Sequence, residues 1–199
     1  MRKLIVHEFV TLDGVMQAPG GKDEDRDGGF EHGGWTLPYW HDDIGQAFGA
    51  LMTDVDAFLL GRRTYITHAE AFEPMAPGDP FGDLMNPPKK YVVSKTLKQP
   101  IWRNTTIIRD NVIEAVRALK KEPGKNILMD GSSQLLHVLL ANDLIDELHL
   151  TVYPLSLGKG KRVFPAGARV ELQLRSATPY PSGVVGLHYA RQRGSLRQS

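Results

Sequence analysis

Apolar and polar positions follow one another along this chain in runs that predict short buried strands delivered to amphipathic helices. Residues 3–10 form a β-rich run in which Ile5, Val6, Phe9 and Val10 populate both faces, the pattern of an interior strand buried on two sides. The run ends in the turn Thr11-Leu12-Asp13-Gly14. Asp42 and Asp43 then place acidic residues where the first turn of a helix favours them, and Ile44, Ala47, Phe48, Leu51 and Met52 follow with a 3.6-residue period. Residues 57–60 read as a short buried strand, with Gly61-Arg62-Arg63-Thr64-Tyr65 opening another helix directly behind it. Residues 91–93 and 106–108 read as two more strands, separated by Ser94-Lys95-Thr96 and a polar link. Val112, Val116 and Leu119 line one side of a helix that stops before Pro123-Gly124.

The segment from Asn126 to Pro165 organises the rest. Ile127-Leu128-Met129 is a short apolar run ending in Asp130-Gly131-Ser132-Ser133, after which Leu135, Leu136, Leu139 and Leu140 recur at helical spacing. Asn142-Asp143 closes that helix, and residues 147–153 begin another strand, stopped by Pro154. Further on, residues 170–177 and 184–190 alternate as two antiparallel strands joined through residues 179–183. Residues 192–199 are polar and are expected to fray.

Two stretches break the pattern. Residues 17–38 are glycine-rich and acidic, with too little apolar periodicity for a helix or strand, and are expected to form a mobile lid carrying Phe30 and Trp35. Residues 73–88 hold five prolines and read as an irregular connection. Strands alternate with helices early and pair as a hairpin late. The fold class is therefore α/β, a mostly parallel sheet with an antiparallel edge and helices on both sides, in one domain over residues 1–191.

Composition narrows the function classes. A chain of 199 residues has the length of one domain, and a net charge of +1 gives no reason to expect nucleic acid or an anionic membrane as the main partner. The absence of cysteine excludes disulfides, thiol nucleophiles and cysteine metal sites. No apolar run approaches the roughly 20 residues of a membrane helix. Residues 1–6 lead straight into a strand pattern without a cleavage signal, so the cytoplasm is the expected location.

Candidate chemistry sits at three strand-to-helix or strand-to-loop junctions. At each helix start, backbone N–H groups without an intrahelical partner lie at the positive end of the macrodipole, a natural cradle for phosphate. Gly131-Ser132-Ser133 is one such turn, and also what a plain strand-helix-strand unit would use. Gly61-Arg62-Arg63-Thr64 is another, where cations oppose the macrodipole; either an anion resolves that conflict or both arginines pair with surface carboxylates. Ser94-Lys95-Thr96 offers a hydroxyl and an ammonium beyond a strand end, although it is also ordinary loop composition. Neither G-x-G-x-x-G nor a Walker A pattern is present.

Gly131-Ser132-Ser133 with Leu135, Leu144-Ile145-Asp146-Glu147-Leu148 with Leu150, Pro154, Leu157-Gly158-Lys159-Gly160 and Val163-Phe164 together resemble the reductase domain of bacterial riboflavin biosynthesis. That family shares its fold with dihydrofolate reductase, and many stand-alone members have no assigned substrate. The resemblance implies a dihydrofolate-reductase-like three-layer α/β/α domain, NADPH as cofactor, a small heterocyclic substrate (pterin-like or pyrimidine-like) and a homodimer. It makes Gly61, Arg62, Arg63 and Thr64 ligands of the cofactor phosphates, with Thr64 at the pyrophosphate. Ser94 and Lys95 would complete the 2′-phosphate site, and Gly131, Ser132 and Ser133 the third turn of the cradle. A non-catalytic NADP-type nucleotide-binding module is the alternative.

A reductase of this kind must supply one proton. Asp13, at the end of the first strand, and Asp42 or Asp43, at the head of the first helix, are the candidate catalytic acids. Dihydrofolate reductases place their acid in that helix, where the ungapped alignment falls near Gly45. Leu12-Asp13-Gly14 matches the substrate-bordering turn of the flavin-pathway reductases, with Val15 where many have a basic residue. Asp13 also reads as a turn former, and Asp42 and Asp43 as helix-start charges. The seven histidines show no H-x-H or H-E-x-x-H spacing, and no metal site is expected; His7, His149 and His188 read as core or face residues of strands.

Overall fold

A computed structural model describes residues 1–192; beyond residue 192, the expectation for the tail lies outside the described residues. Eight strands and five α-helices follow in the order β1 (Leu4–Thr11), α1 (Asp42–Met52), β2 (Val55–Gly61), α2 (Arg62–Phe72), α3 (Pro80–Met85), β3 (Lys89–Val93), β4 (Thr105–Ile108), α4 (Val112–Lys121), β5 (Asn126–Met129), α5 (Ser133–Ala141), β6 (Glu147–Tyr153), β7 (Leu172–Pro179) and β8 (Val185–Arg191). The strands form one sheet in the order β4-β3-β2-β5-β1-β6-β8-β7. Every neighbouring pair from β4 to β6 is parallel, while β8 runs antiparallel to both β6 and β7. This is the mostly parallel α/β sheet with an antiparallel edge that the pattern predicts.

The continuous apolar runs are explained by burial on both faces. Leu4 and Val6 of β1, Leu59 of β2, and Ile127 and Met129 of β5 pack on one side with Val116 and Leu119 of α4 and Leu136, Leu139 and Leu140 of α5. The residues between them, Ile5, Phe58, Leu60 and Leu128, pack on the other side with Met52 of α1 and Tyr65 and Ala69 of α2. Successive strand residues point to opposite faces, so a strand covered by helices on both sides has no polar face to show.

Two expectations need correction. The proline-rich stretch contains α3: the Asp79 side chain accepts from the N–H groups of Phe81 and Gly82, both at 2.9 Å, and Pro80 stands where its missing N–H costs nothing. The glycine-rich stretch is packed rather than standing off as a mobile lid. Phe30 and Trp35 are 3% and 6% exposed and join Val15, Ile44, Tyr153 and Val184 in a third apolar cluster. Trp35 meets Tyr153 edge-on at 5.2 Å, and its indole N–H donates to the Gln17 carbonyl at 2.8 Å. A segment without periodicity is held here by two aromatic anchors and by local caps, such as Glu24 accepting from the N–H groups of Gly20 and Gly21.

Candidate active site

Strands β3, β2 and β5 lie side by side and parallel, so the turns that follow them emerge along one edge of the sheet. There they line a cleft of about 700 Å³. The turns after β2 and β5 interlock. The Gly61 N–H donates to the Gly131 carbonyl at 3.3 Å, a Cβ at Gly61 would stand 2.3 Å from Ser132 Oγ, and one at Gly131, whose φ is +81°, would stand 2.6 Å from Thr64 Oγ1. A side chain at either glycine would collide with the Ser132 or Thr64 side chain of the facing turn, so close approach of the two turns, not turn geometry alone, requires glycine at both places.

Neither α2, with Gly61 at its N-cap, nor α5, with Ser132, has a side-chain cap. Helix α1 is capped by His41 Nδ1 and α3 by Asp79, while α4, with Asn111 at its N-cap, also lacks a side-chain cap. What sets α2 and α5 apart is that their first turns line the cleft, where amides without a side-chain partner suit an anionic ligand. All nine residues expected to bind cofactor, Gly61, Arg62, Arg63, Thr64, Ser94, Lys95, Gly131, Ser132 and Ser133, line this one cleft. Arg62 is exposed at its rim and, among the described residues, makes no ion pair. Arg63 bonds Asp27 at 2.7 Å and lies 3.7 Å from Asp25, so the acidic segment supplies an anion to that cation from within the chain. The Arg63 and Lys161 charges in turn hold the Asp27 carboxyl at about 2. Ser94 Oγ accepts from the N–H groups of Thr96 and Leu97, which uses its lone pairs and leaves its hydroxyl proton to donate.

The expected acids stand elsewhere. Asp13 is absent from the cleft lining because its carboxylate turns to the chain: it accepts from Thr11 Oγ1 at 2.5 Å, the Gly158 N–H at 2.8 Å and the Leu157 N–H at 3.2 Å. Burial pushes this carboxyl up, but those hydrogen bonds outweigh it and hold it at about 2, the wrong side for a proton donor. Asp42 and Asp43 are exposed at the start of α1, also outside the lining.

Among the described residues four acidic groups line the cleft: Glu8, Glu24, Asp25 and Asp130. Asp25 pairs with Lys161, and Glu24, its carboxyl raised by burial, accepts from the N–H groups of Gly20 and Gly21, while Glu8 and Asp130 come together at the strand ends. Glu8, 5% exposed on β1, accepts the Gly131 N–H at 2.9 Å. Burial and the nearby Asp130 charge push its carboxyl well above the usual carboxylate range, against the pull of that N–H. Asp130 Oδ2 is 2.9 Å from His68 Nε2, and Oδ1 is 3.6 Å from His7 Nδ1. Burial would raise this carboxyl too, but the His68 and His7 rings outweigh it and hold it well below the ordinary value. Two adjacent carboxyls with environments that pull their acidities apart are the usual signature of an acid and its charged partner. Phe9, Trp40 and Phe48 supply an apolar wall to the same cleft. Glu8 was legible as an ionisable residue inside a strand read as buried on both sides; Asp130 looked only like a turn former.

Comparison with known proteins agrees with this architecture. Residues 2–186 match the family of RibD C-terminal domains. The chain is 29% identical over 192 residues to the uncharacterized protein YyaP of Bacillus subtilis (strain 168), covering 94% of each. A Shewanella sp. PV-4 protein named for riboflavin biosynthesis superposes with a TM-score of 0.73 at 21% identity, covering 96% of this chain and 99% of that one. Dihydrofolate reductase from Enterococcus faecalis, complexed with NADP(H), superposes with a TM-score of 0.61 at 15% identity, covering 95% and 96%. These structural likenesses establish the dihydrofolate-reductase-like fold.

Proposed function

Since the chain belongs to the family of RibD C-terminal domains, we propose that it is an NADPH-dependent reductase that adds a hydride and a proton across a double bond of a small heterocycle, pterin-like or pyrimidine-like. The observation that carries this reading is the opening of three successive strand-end turns, two of them at uncapped helix starts, into one cleft. The donor set fits a phosphorylated dinucleotide: orphan amides at α2 and α5, hydroxyls at Thr64 and Ser132, and cations at Arg62 and Lys95 around the rim. NADPH, when bound, supplies the hydride.

The chain's own residues divide the remaining work. The first turns of α2 and α5 with Thr64 and Ser132 hold the pyrophosphate, and Arg62, Ser94 and Lys95 hold the 2′-phosphate. Glu8 keeps the proton that the heterocycle needs, because burial beside Asp130 disfavours its charged form. The Gly131 N–H fixes one Glu8 oxygen and leaves the other to carry that proton. His68 anchors Asp130, so the charge that keeps Glu8 protonated stays in place. Phe9, Trp40 and Phe48 receive the flat apolar body of the substrate.

Calorimetry with NADPH and with NADH, followed by cofactor oxidation in the presence of a panel of reduced-state-accessible pterins and pyrimidines, tests this. Tighter binding of NADPH with steady oxidation supports the reductase. Binding without turnover across the panel would leave a nucleotide-binding module, and no heat with either nucleotide would end the proposal.

A further inference from the structure

Away from the cleft, a second group of histidine and carboxylate spans β6 and β8. Glu147 and His149 are two residues apart on β6 and so share a face, and His149 lies directly opposite His188 on β8. The two imidazoles stack with ring centroids 4.0 Å apart. Their Nε2 atoms lie 3.5 Å (His149) and 3.4 Å (His188) from the same oxygen, Glu147 Oε2. Those separations are long for hydrogen bonds, and both nitrogens are buried without a hydrogen-bond partner. The three ligand-type atoms all lie within 4.8 Å of one another.

Buried polar atoms that stand close to one another without a hydrogen bond are costly unless a further partner, such as a cation, joins them. We propose that Glu147, His149 and His188 form a binding site for a divalent transition-metal ion of the zinc class. Two imidazoles and a carboxylate are the ligand types such an ion takes at about 2.0–2.2 Å. Bonds of about 2.0–2.1 Å in a tetrahedron separate neighbouring ligand atoms by about 3.3–3.4 Å. The two nitrogen-to-oxygen distances already stand at that edge length. The other carboxylate oxygen, Glu147 Oε1, accepts from Lys3 Nζ at 2.8 Å, which fixes the carboxylate and aims Oε2 at the imidazoles. The side chains of Glu147, His149 and His188 are 15%, 24% and 29% exposed, so the cluster lies near solvent although both Nε2 atoms are themselves covered. A cavity of about 180 Å³, lined by both histidines with Thr151 and Ser176, gives the entry path. No along-chain motif announces the site because its ligands come from two strands. The ion would tie β6 to the antiparallel edge of the sheet, and the proposal does not depend on the reductase reading.

Tag-free protein stripped with a chelator is titrated with Zn²⁺ by calorimetry, and with Co²⁺ by visible absorption. One ion per chain, a Co²⁺ spectrum of four-coordinate intensity and a raised Tm are expected for the wild type. His188→Ala and, separately, Glu147→Gln should lose the Co²⁺ spectrum and weaken Zn²⁺ binding by more than about 100-fold, while Lys3→Met weakens it by about 10–100-fold. If one ligand variant fails to fold, the other carries the test. Wild-type protein without saturable binding, or Zn²⁺ binding unchanged in a folded His188→Ala or Glu147→Gln chain, would overturn the site.

Discussion

His7, His149 and His188 are register partners across β1, β6 and β8, so one row of imidazoles joins two clusters of the same residue types. At the cleft end, the Asp130 carboxylate meets His68 at hydrogen-bond distance and Glu8 takes a backbone N–H. At the sheet edge, two imidazole nitrogens converge on one carboxylate oxygen with no hydrogen bond made. The difference lies in the hydrogen bonds the carboxyls make. At the cleft, bonds from His68 and the Gly131 N–H act on the acidity of two neighbouring carboxyls, as a site that delivers a proton requires, although His7 Nδ1 is itself without a partner. Two imidazole nitrogens that close on one carboxylate oxygen without a hydrogen bond instead suit a metal ion. Composition alone would not separate the two.

The sharpest break in this contrast comes from Glu8→Gln. It keeps an acceptor for the Gly131 N–H and removes the titrating group. With a turned-over heterocycle in hand, kcat should fall by about 10²–10⁴ while the Kd for NADPH stays unchanged. An unaltered kcat would move the proton source elsewhere, whereas parallel losses in both would make Glu8 a structural group. The matching change at the sheet edge, His188→Ala, should leave kcat alone.

Next in size is a change that touches neither cluster. Trp35→Ala removes a buried indole and its hydrogen bond to Gln17, and should cost about 3–5 kcal/mol in denaturant unfolding. A loss under about 1 kcal/mol would return residues 17–38 to the status of a loose cover.

Much of this fold could be read in advance because it rests on local chemistry. The both-faces-apolar runs of β1, β2 and β5, the glycine turns at 61 and 131, and the late hairpin each carry their cause within a few residues. What could not be read rests on partners distant in the chain. Glu8 depends on Gly131 and Asp130, and Asp130 on His68 and His7, so neither carboxyl announces its acidity locally. Asp13 was legible as an acid at a strand end, but the amides of Leu157 and Gly158 that claim it were not. Trp35 and Phe30 sit in a stretch without period, and only Tyr153 explains them. Asp79-Pro80 was a readable helix start, outweighed by the surrounding prolines.

A smaller effect concerns the rim of the cleft. Arg62→Ala should weaken NADPH binding by about 1.5–3 kcal/mol, with NADH nearly untouched, if its guanidinium meets the 2′-phosphate. Arg63→Ala should do less, because its charge is already matched by Asp27. Asp27→Asn should then tighten NADPH binding by freeing Arg63. Equal losses for both nucleotides in Arg62→Ala would place that arginine away from the 2′-phosphate.

The last effect is the smallest at any one pH and bears on the protons themselves. Asp130 has its folded acidity below the ordinary value of about 3.9, so its contribution to stability is complete above that pH and is lost as the pH falls below it. Glu8 is displaced the other way. The folded chain holds this proton more tightly than the unfolded chain, so its contribution is complete below about 4.3 and is lost as pH rises from there through the folded value. Above about pH 5 only Glu8 of the two still changes, with a slope no steeper than about 1.4 kcal/mol per pH unit. The Tm of the wild type should therefore fall relative to that of Glu8→Gln between about pH 5 and about pH 7. Parallel curves would mean that Glu8 has ordinary acidity, and the cleft cluster would lose the property that distinguishes it from the one at the sheet edge.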